Sequence, residues 1–248
     1  MGTIGLGTYA YFWRHRAGMS IEDALRDTAD QGLSLFQICD DDRIETADLA
    51  AIRSVADQRG ITLELGTRGL ETEHVRRYLA IARELGATLI RSMVTTGVDQ
   101  AALLLDAVAP ELAESGVRLA LENYEKIPTA DLVRLVEGRE HVGICLDPAN
   151  TVSILEHPRD VIDLASPHAI NLHIKDFAFT RTQGWVGFSL AGAPLGEGLL
   201  PLDHLLAAAP GPNRIVEHWL PWQGDARTSC EREREWTAHC IRVLKERA

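Results

Sequence analysis

Residues 118–148 read RLALENYEKIPTADLVRLVEGREHVGICLDP. An apolar run, Leu119-Ala120-Leu121, closes on an acid, Glu122. An amphipathic segment follows. A second apolar run, Ile144-Cys145-Leu146, then closes on another acid, Asp147, with Pro148 ending it. A short β-like run, a helical run and a second β-like run make the repeating unit of a parallel sheet. An acid closing an apolar strand is costly to bury unless it is paired, hydrogen-bonded or bound to metal.

Outward from this unit the pattern recurs. Strand candidates are 3–8, 35–39, 62–66, 89–94, 118–124, 142–147, 170–177 and 214–219. Between them lie amphipathic segments. Ser20 caps one that begins Ile21-Glu22-Asp23-Ala24-Leu25. Val75, Leu79 and Ala82 follow helical spacing in another, 71–85, which Gly86 closes. Gly60, Gly86 and Gly116 stand two or three residues before a strand, where short αβ loops place a helix-ending glycine. No GxGxxG or Walker-type loop follows the first strand, which argues against an open doubly wound sheet. Eight repeats with none left over fit closure instead. The expected fold is α/β, a single (β/α)8 TIM barrel forming one domain over 1–248. The longest irregular stretch, 178–200, reads as an active-site lid or a surface insertion.

With 248 residues, 46% of them hydrophobic, the chain can bury a sizeable core. No apolar run reaches the roughly 18 residues of a membrane span. The start, Met1-Gly2-Thr3-Ile4, has neither the basic nor the apolar stretch of a signal peptide, so a cytoplasmic location is the default expectation. Leu6 stands where a myristoylation signal has Ser or Thr. Cys39, Cys145, Cys230 and Cys240 form no CxxC pair and read as buried free thiols. A net charge of -11 repels a phosphate backbone, so nucleic acid is not an expected partner.

In a barrel the last inward residue of each strand faces the catalytic mouth. In the seventh strand Leu172 and Ile174 share one face, and Asn171, His173 and Lys175 the other. In the eighth, Glu217 follows Ile215 and Val216. Alone, a carboxylate at a strand end is usually a helix cap or solvated, and a strand His is usually a satisfied core residue. Together, strands five to eight each offer one ligand at the same end: Glu122, Asp147, His173 and Glu217. Their separations are 25 (122 to 147), 26 (147 to 173) and 44 (173 to 217) residues, one βα unit twice and one unit plus the long loop. Three carboxylates and one imidazole suit one divalent ion, Mn²⁺ first, then Mg²⁺ or Co²⁺, better than a closed zinc site. Room for two substrate oxygens would let the metal polarise a carbonyl and stabilise an enediolate.

At these residues the chain resembles the xylose isomerase-like TIM barrel superfamily, the sugar phosphate isomerase/epimerase group, including its 3-oxo-isoapionate decarboxylase-like branch. Leu119-Ala120-Leu121-Glu122-Asn123, Gly143-Ile144-Cys145-Leu146-Asp147, Leu172-His173-Ile174-Lys175-Asp176 and the Glu217 strand look like its four ligand strands. The likeness in order and spacing covers essentially the whole chain. It implies that Glu122 and Glu217 bind the metal and act as an acid/base pair on opposite faces of a bound ketose. Asp147 and His173 complete the metal shell. It also implies a homodimer, as family members often are; the C-terminal helix, with Trp236, Cys240 and Val243, covers the barrel or faces that second subunit. The chain departs from the pattern at Asn150, where many epimerases carry a His. The family's Arg after the strand-seven His has no clear match, and Lys175 is the substitute contact for an anionic substrate, or else pairs with a neighbouring carboxylate. Gly196-Glu197-Gly198 resembles the family's glycine turn, with Glu197 a candidate substrate contact or a solvated loop residue.

Other polar residues sit at strand ends. Glu64 or Gln37 could hydrogen-bond sugar hydroxyls, and Arg68 or Arg91 could hold a carboxylate or phosphate. A buried Glu64–Arg91 pair is the alternative. Tyr9, Tyr11, Phe12, Trp13, Trp219 and Trp222 are expected to wall the pocket. The resulting functional expectation is a divalent-metal-dependent isomerase or epimerase of a keto-sugar or keto-sugar acid, working through an enediolate. The alternative is a decarboxylase of a 3-oxo sugar acid, favoured by paired basic residues and by the unusual stretch Glu217-His218-Trp219-Leu220-Pro221-Trp222. An apurinic endonuclease would need three metals and a basic surface. A nicotinamide enzyme would need a dinucleotide fingerprint.

Overall fold

In this computed structural model, which describes residues 2–40 and 42–247, eight parallel strands close into a barrel. They are β1 (Ile4–Gly7), β2 (Leu35–Cys39), β3 (Thr62–Gly66), β4 (Leu89–Met93), β5 (Arg118–Glu122), β6 (Val142–Leu146), β7 (Ala169–Ile174) and β10 (Asn213–Val216). Each pairs with the next in chain order, and β10 closes onto β1. Two more strands, β8 (Asp176–Arg181) and β9 (Phe188–Ala193), form an antiparallel hairpin outside the barrel.

The helices are α1 (Phe12–Arg16), α2 (Ile21–Asp30), α3 (Leu49–Arg59), α4 (Thr72–Leu85), α5 (Val98–Ser115), α6 (Thr129–Val136), α7 (Pro158–Ala165), α8 (Leu202–Ala208) and α9 (Ala226–Lys245). Their ends follow local chemistry. Ser20 Oγ accepts the Asp23 N–H at 3.0 Å and starts α2. Gly60, Gly86 and Gly116 take φ of 65°, 67° and 67°, the left-handed conformation that ends α3, α4 and α5 without a Cβ penalty. Among the described residues no helix is long and apolar enough to cross a membrane.

The core has two unequal parts. Outward-facing residues such as Leu63, Leu65, Leu119, Leu121, Leu172 and Ile174 pack beneath the helices in one large cluster. Each such side chain stabilises the fold by roughly 1.5–3 kcal/mol. Inside the barrel Leu89, Ala120 and Cys145 form a small apolar cluster. Beside it the interior buries polar side chains, Gln37, Glu64 and Asn171. All four cysteines are free and buried.

Most expected strands run a residue or two longer than those observed, and two elements differ more. The run 170–177 is two strands, not one, because the chain leaves the barrel at Lys175. The Asp176 carboxylate accepts the backbone N–H groups of Phe177, Gly196, Gly198 and Leu200 at 2.8, 2.8, 3.0 and 2.9 Å. That clamp turns the chain outward and pins the foot of the hairpin, so 178–200 is largely regular structure. The eighth barrel strand ends at Val216 rather than at 219. The C-terminal helix α9 covers the barrel: Cys240, Ile241, Val243 and Leu244 are buried, and Glu233 meets Arg14 of α1 at 2.8 Å. Trp236 is half-buried, edge-on to His218 with ring centroids 5.8 Å apart.

Candidate metal centre

Strands β5, β6, β7 and β10 bring Glu122, Asp147, His173 and Glu217 together at one end of the barrel. One ligand atom of each lies within 4.8 Å of the others, and all four residues are buried. His173 Nδ1 is 3.3 Å from Glu122 Oε1, 3.4 Å from Glu217 Oε1 and 3.9 Å from Asp147 Oδ2.

Neighbours hold each ligand in place. Asn123 and Asp147 exchange two 2.7 Å bonds that lock the ends of β5 and β6 together. Asp147 Oδ1 accepts the Ala149 N–H at 3.1 Å, which leaves Oδ2 facing inward. Asn150 Nδ2 donates to Glu122 Oε1 at 2.7 Å, and Arg91 forms a close ion pair with Glu122 Oε2. Lys175 Nζ lies 2.7 Å from Asp147 Oδ2 and 3.3 Å from Glu217 Oε2, with its charge 4.6 Å from the centre of the Trp219 ring. On the far side of the imidazole, His173 Nε2 is 2.8 Å from Gln37 Oε1.

Burial opposes the charge on Glu122, but Arg91 and His173 outweigh it and hold the carboxyl down at about 2. Burial likewise opposes charge on Glu217, where His173 and Lys175 keep the carboxyl below the usual range. At Asp147 burial wins and pushes the carboxyl up to about 6, although Lys175 pulls the other way. Burial disfavours the Lys175 ammonium, yet Asp147 and Glu217 more than offset this and raise it.

These residues fit a divalent ion. His173 Nδ1 and Glu217 Oε1 are buried without a hydrogen-bond partner and face the same point. Orphaned buried polar atoms are rare in folded proteins unless something else satisfies them. The donor set, three carboxylates and one imidazole, matches a hard or borderline metal.

A cavity of about 480 Å³ opens over the quartet. Glu122 and Glu217 form its floor, with Asn150 and Lys175 beside them. Arg68, Arg91, Tyr9 and Trp219 also line it. Several expectations change here. Glu64 lies in the barrel interior, not in the cavity, where Gln37, Asn171 and Asn213 donate to it. Its expected partner Arg91 is instead committed to Glu122 and to Asp40, at 3.0 Å from the latter. Glu197 is exposed and does not reach the cavity, because the Asp176 clamp holds the glycine turn by its backbone. Of the six aromatics, only Tyr9 and Trp219 line the cavity. Tyr11 is a core residue bonded to Asp27 and Thr28, while Trp13 packs against Phe12 and Trp222. Lys175 is paired with carboxylates and lines the cavity at once. No residue of 178–200 lines it.

Sequence reasoning missed Asp40, Met93, Tyr124 and Lys126. Asp40 accepts from Tyr9, Arg68 and Arg91 and so organises the cationic wall. Its backbone is left-handed, φ 47°, a conformation that Asp tolerates better than most residues. The signal was present: Asp40 directly follows a mostly apolar strand, as Asp147 does.

A family model described as xylose isomerase-like TIM barrel matches residues 25–246, and the chain belongs to that family. It is 44% identical over 262 residues to a 3-oxo-isoapionate decarboxylase of Pectobacterium atrosepticum, covering 98% of this chain and 95% of that one. A xylose isomerase domain protein from Planctomyces limnophilus shares the fold with a TM-score of 0.74 at 17% identity, over 99% of this chain and 96% of that one. A xylose isomerase-like TIM barrel protein from Mycobacterium smegmatis, solved in complex with magnesium, does so with a TM-score of 0.69 at 17% identity, over 96% and 97%.

Proposed function

We propose that this protein is a metal-dependent decarboxylase of a 3-oxo sugar acid, the second of the two activities expected from sequence. The 44% identity to a 3-oxo-isoapionate decarboxylase across nearly both whole chains carries the reading. Charge at the site supports it. Four carboxylates, Asp40, Glu122, Asp147 and Glu217, face three cations, Arg68, Arg91 and Lys175, in two sets of ion pairs that His173 bridges. With His173 neutral, as a metal ligand must be, their formal sum is one negative charge. A divalent ion turns this into one positive charge, which a monoanionic substrate neutralises and a neutral sugar does not.

Glu122, Asp147, His173 and Glu217 would hold the ion. Bound there, it supplies Lewis acidity to the carbonyl next to the carbon that loses CO2. In the reaction the C–C bond to the carboxylate breaks, its electron pair moves toward that carbonyl, CO2 leaves, and one proton returns to the vacated carbon. Arg68, at the mouth with Tyr9, binds the acid group as a planar fork. Asn150 and Arg91 keep Glu122 fixed and ionised. The Lys175–Glu217 pair, at the cavity floor, returns the proton.

The test is to load the protein with Mn²⁺ and incubate it in D2O with 3-oxo sugar acids and ketoses under NMR. Loss of CO2 with deuterium at the vacated carbon is the expected result. Deuterium beside an intact carbonyl, with the carbon skeleton unchanged, would establish the isomerase or epimerase instead.

A further inference from the structure

Beneath the quartet, outside the cavity lining, runs a chain of amides around Glu64. Glu64 Oε1 accepts from Asn213 Nδ2 at 2.7 Å, and Glu64 Oε2 accepts from Asn171 Nδ2 and Gln37 Nε2, both at 2.9 Å. Gln37 Nε2 also donates to Asn171 Oδ1 at 3.1 Å. A carboxylate only accepts, so Asn171 must turn its nitrogen to Glu64 and its oxygen to Gln37. Gln37 must then turn its nitrogen to both. That leaves Gln37 Oε1 facing the other way, 2.8 Å from His173 Nε2 and accepting the Cys39 thiol at 2.8 Å. Amide orientations are set by such networks, and this one has a single consistent solution. His173 Nε2 is therefore a donor, and Nδ1, which faces the carboxylates of the quartet, is the nitrogen whose lone pair a bound ion would take.

We propose that Glu64, acting through Gln37, is a positioning device that fixes the tautomer and ring orientation of His173 for metal ligation. The proposal rests on the reading that the quartet holds a divalent ion. A carboxylate or carbonyl behind a ligating histidine is a common way to orient it, but here the carboxylate acts at one remove, and an amide inverts its polarity. Replacing Glu64 by Gln would let Gln37 flip and present its N–H to His173 Nε2, which favours the tautomer with Nδ1 protonated and blocked.

The experiment is a Mn²⁺ titration followed by electron paramagnetic resonance, alongside thermal melts of the metal-free proteins. Gln37→Leu and Glu64→Gln are each expected to weaken Mn²⁺ binding by about 10–100-fold, with metal-free melting close to the parent. The double variant Gln37→Glu with Glu64→Gln restores an oxygen toward His173 Nε2 and an amide opposite it, so it should regain most of the affinity. A merely structural role would not produce that rescue. Parental affinity in Gln37→Leu or in Glu64→Gln, or a double variant as weak as Gln37→Leu, would overturn the proposal. Should Gln37→Leu fail to fold, Glu64→Gln and the double variant still decide it. Asp147→Ala is the separate control: if the parent shows no saturable binding, or Asp147→Ala binds as the parent does, the metal reading itself fails and the proposal with it.

Discussion

Arg68 and Lys175 bring the same charge to the cavity from different depths, and this separates their expected effects. The Arg68 side chain is 57% exposed and shares its charge with Asp40, whereas Lys175 is 5% exposed between two quartet carboxylates. Arg68→Met should raise KM by about tenfold without lowering kcat, because a solvent-weakened contact to the acid group holds the bound substrate and fades as its charge passes to the carbonyl side. Lys175→Met should lower kcat by roughly 10²–10⁴-fold, the usual worth of a positioned proton donor, while all four metal ligands remain. Steady-state kinetics with metal analysis on each variant separates the two, and a Lys175→Met effect confined to KM would reverse the assignment. The quartet itself was readable from sequence because each carboxylate ends an apolar strand, an arrangement that burial makes expensive and therefore meaningful. Glu64 was misread because what satisfies it is non-local: its partner Asn213 lies 149 residues away, on a strand that closes the barrel. Spacing along the chain carries no trace of such a contact.

At the scale of elements, the barrel strands were legible for a simple reason. They are buried on both faces and read as apolar runs punctuated by helix-ending glycines. The hairpin was not. Residues at its outer end, Phe179, Trp185, Val186 and Phe188, are exposed although apolar, so neither run shows an in–out alternation. What holds its foot is the Asp176 carboxylate reaching 20 to 24 residues ahead to backbone N–H groups. Gly198 is the tight point of this clamp. A Cβ there would lie 2.3 Å from Asp176 Oδ1 and 2.4 Å from the Phe177 carbonyl oxygen, the second of which is backbone and cannot step aside. Gly198→Ala should therefore cost about 1–3 kcal/mol of stability, as overpacking does. It should also speed hydrogen exchange in β9, while exchange in β5 and β6 stays as in the parent. Denaturant melts and exchange mass spectrometry would check both halves, and unchanged stability would mean the turn is softer than its contacts imply.

For the whole molecule, the proposed ion ties together strands that enter late and far apart in the chain, from Glu122 on β5 to Glu217 just past β10. An ion that binds only the folded chain stabilises it by mass action, about 2.7 kcal/mol when its concentration is 100 times Kd. In a domain of this size each kcal/mol moves Tm by about 2–4 °C. Stripping the protein with EDTA should thus lower Tm by roughly 5–10 °C relative to the Mn²⁺-saturated form. Fold and metal are separable here, because Arg91 and Lys175 already offset the like charges of the buried carboxylates. The stripped barrel should therefore remain folded and melt cooperatively, unlike a small zinc domain that needs its ion to fold. Asp147→Ala sharpens the argument: it removes one ligand and one buried negative charge together. Its melt should lose the metal-dependent rise while keeping a transition near that of the stripped parent. Superimposable melts of the parent with and without Mn²⁺ would mean that the buried quartet is balanced by Arg91 and Lys175 alone, and that these carboxylates are a structural ion-pair network.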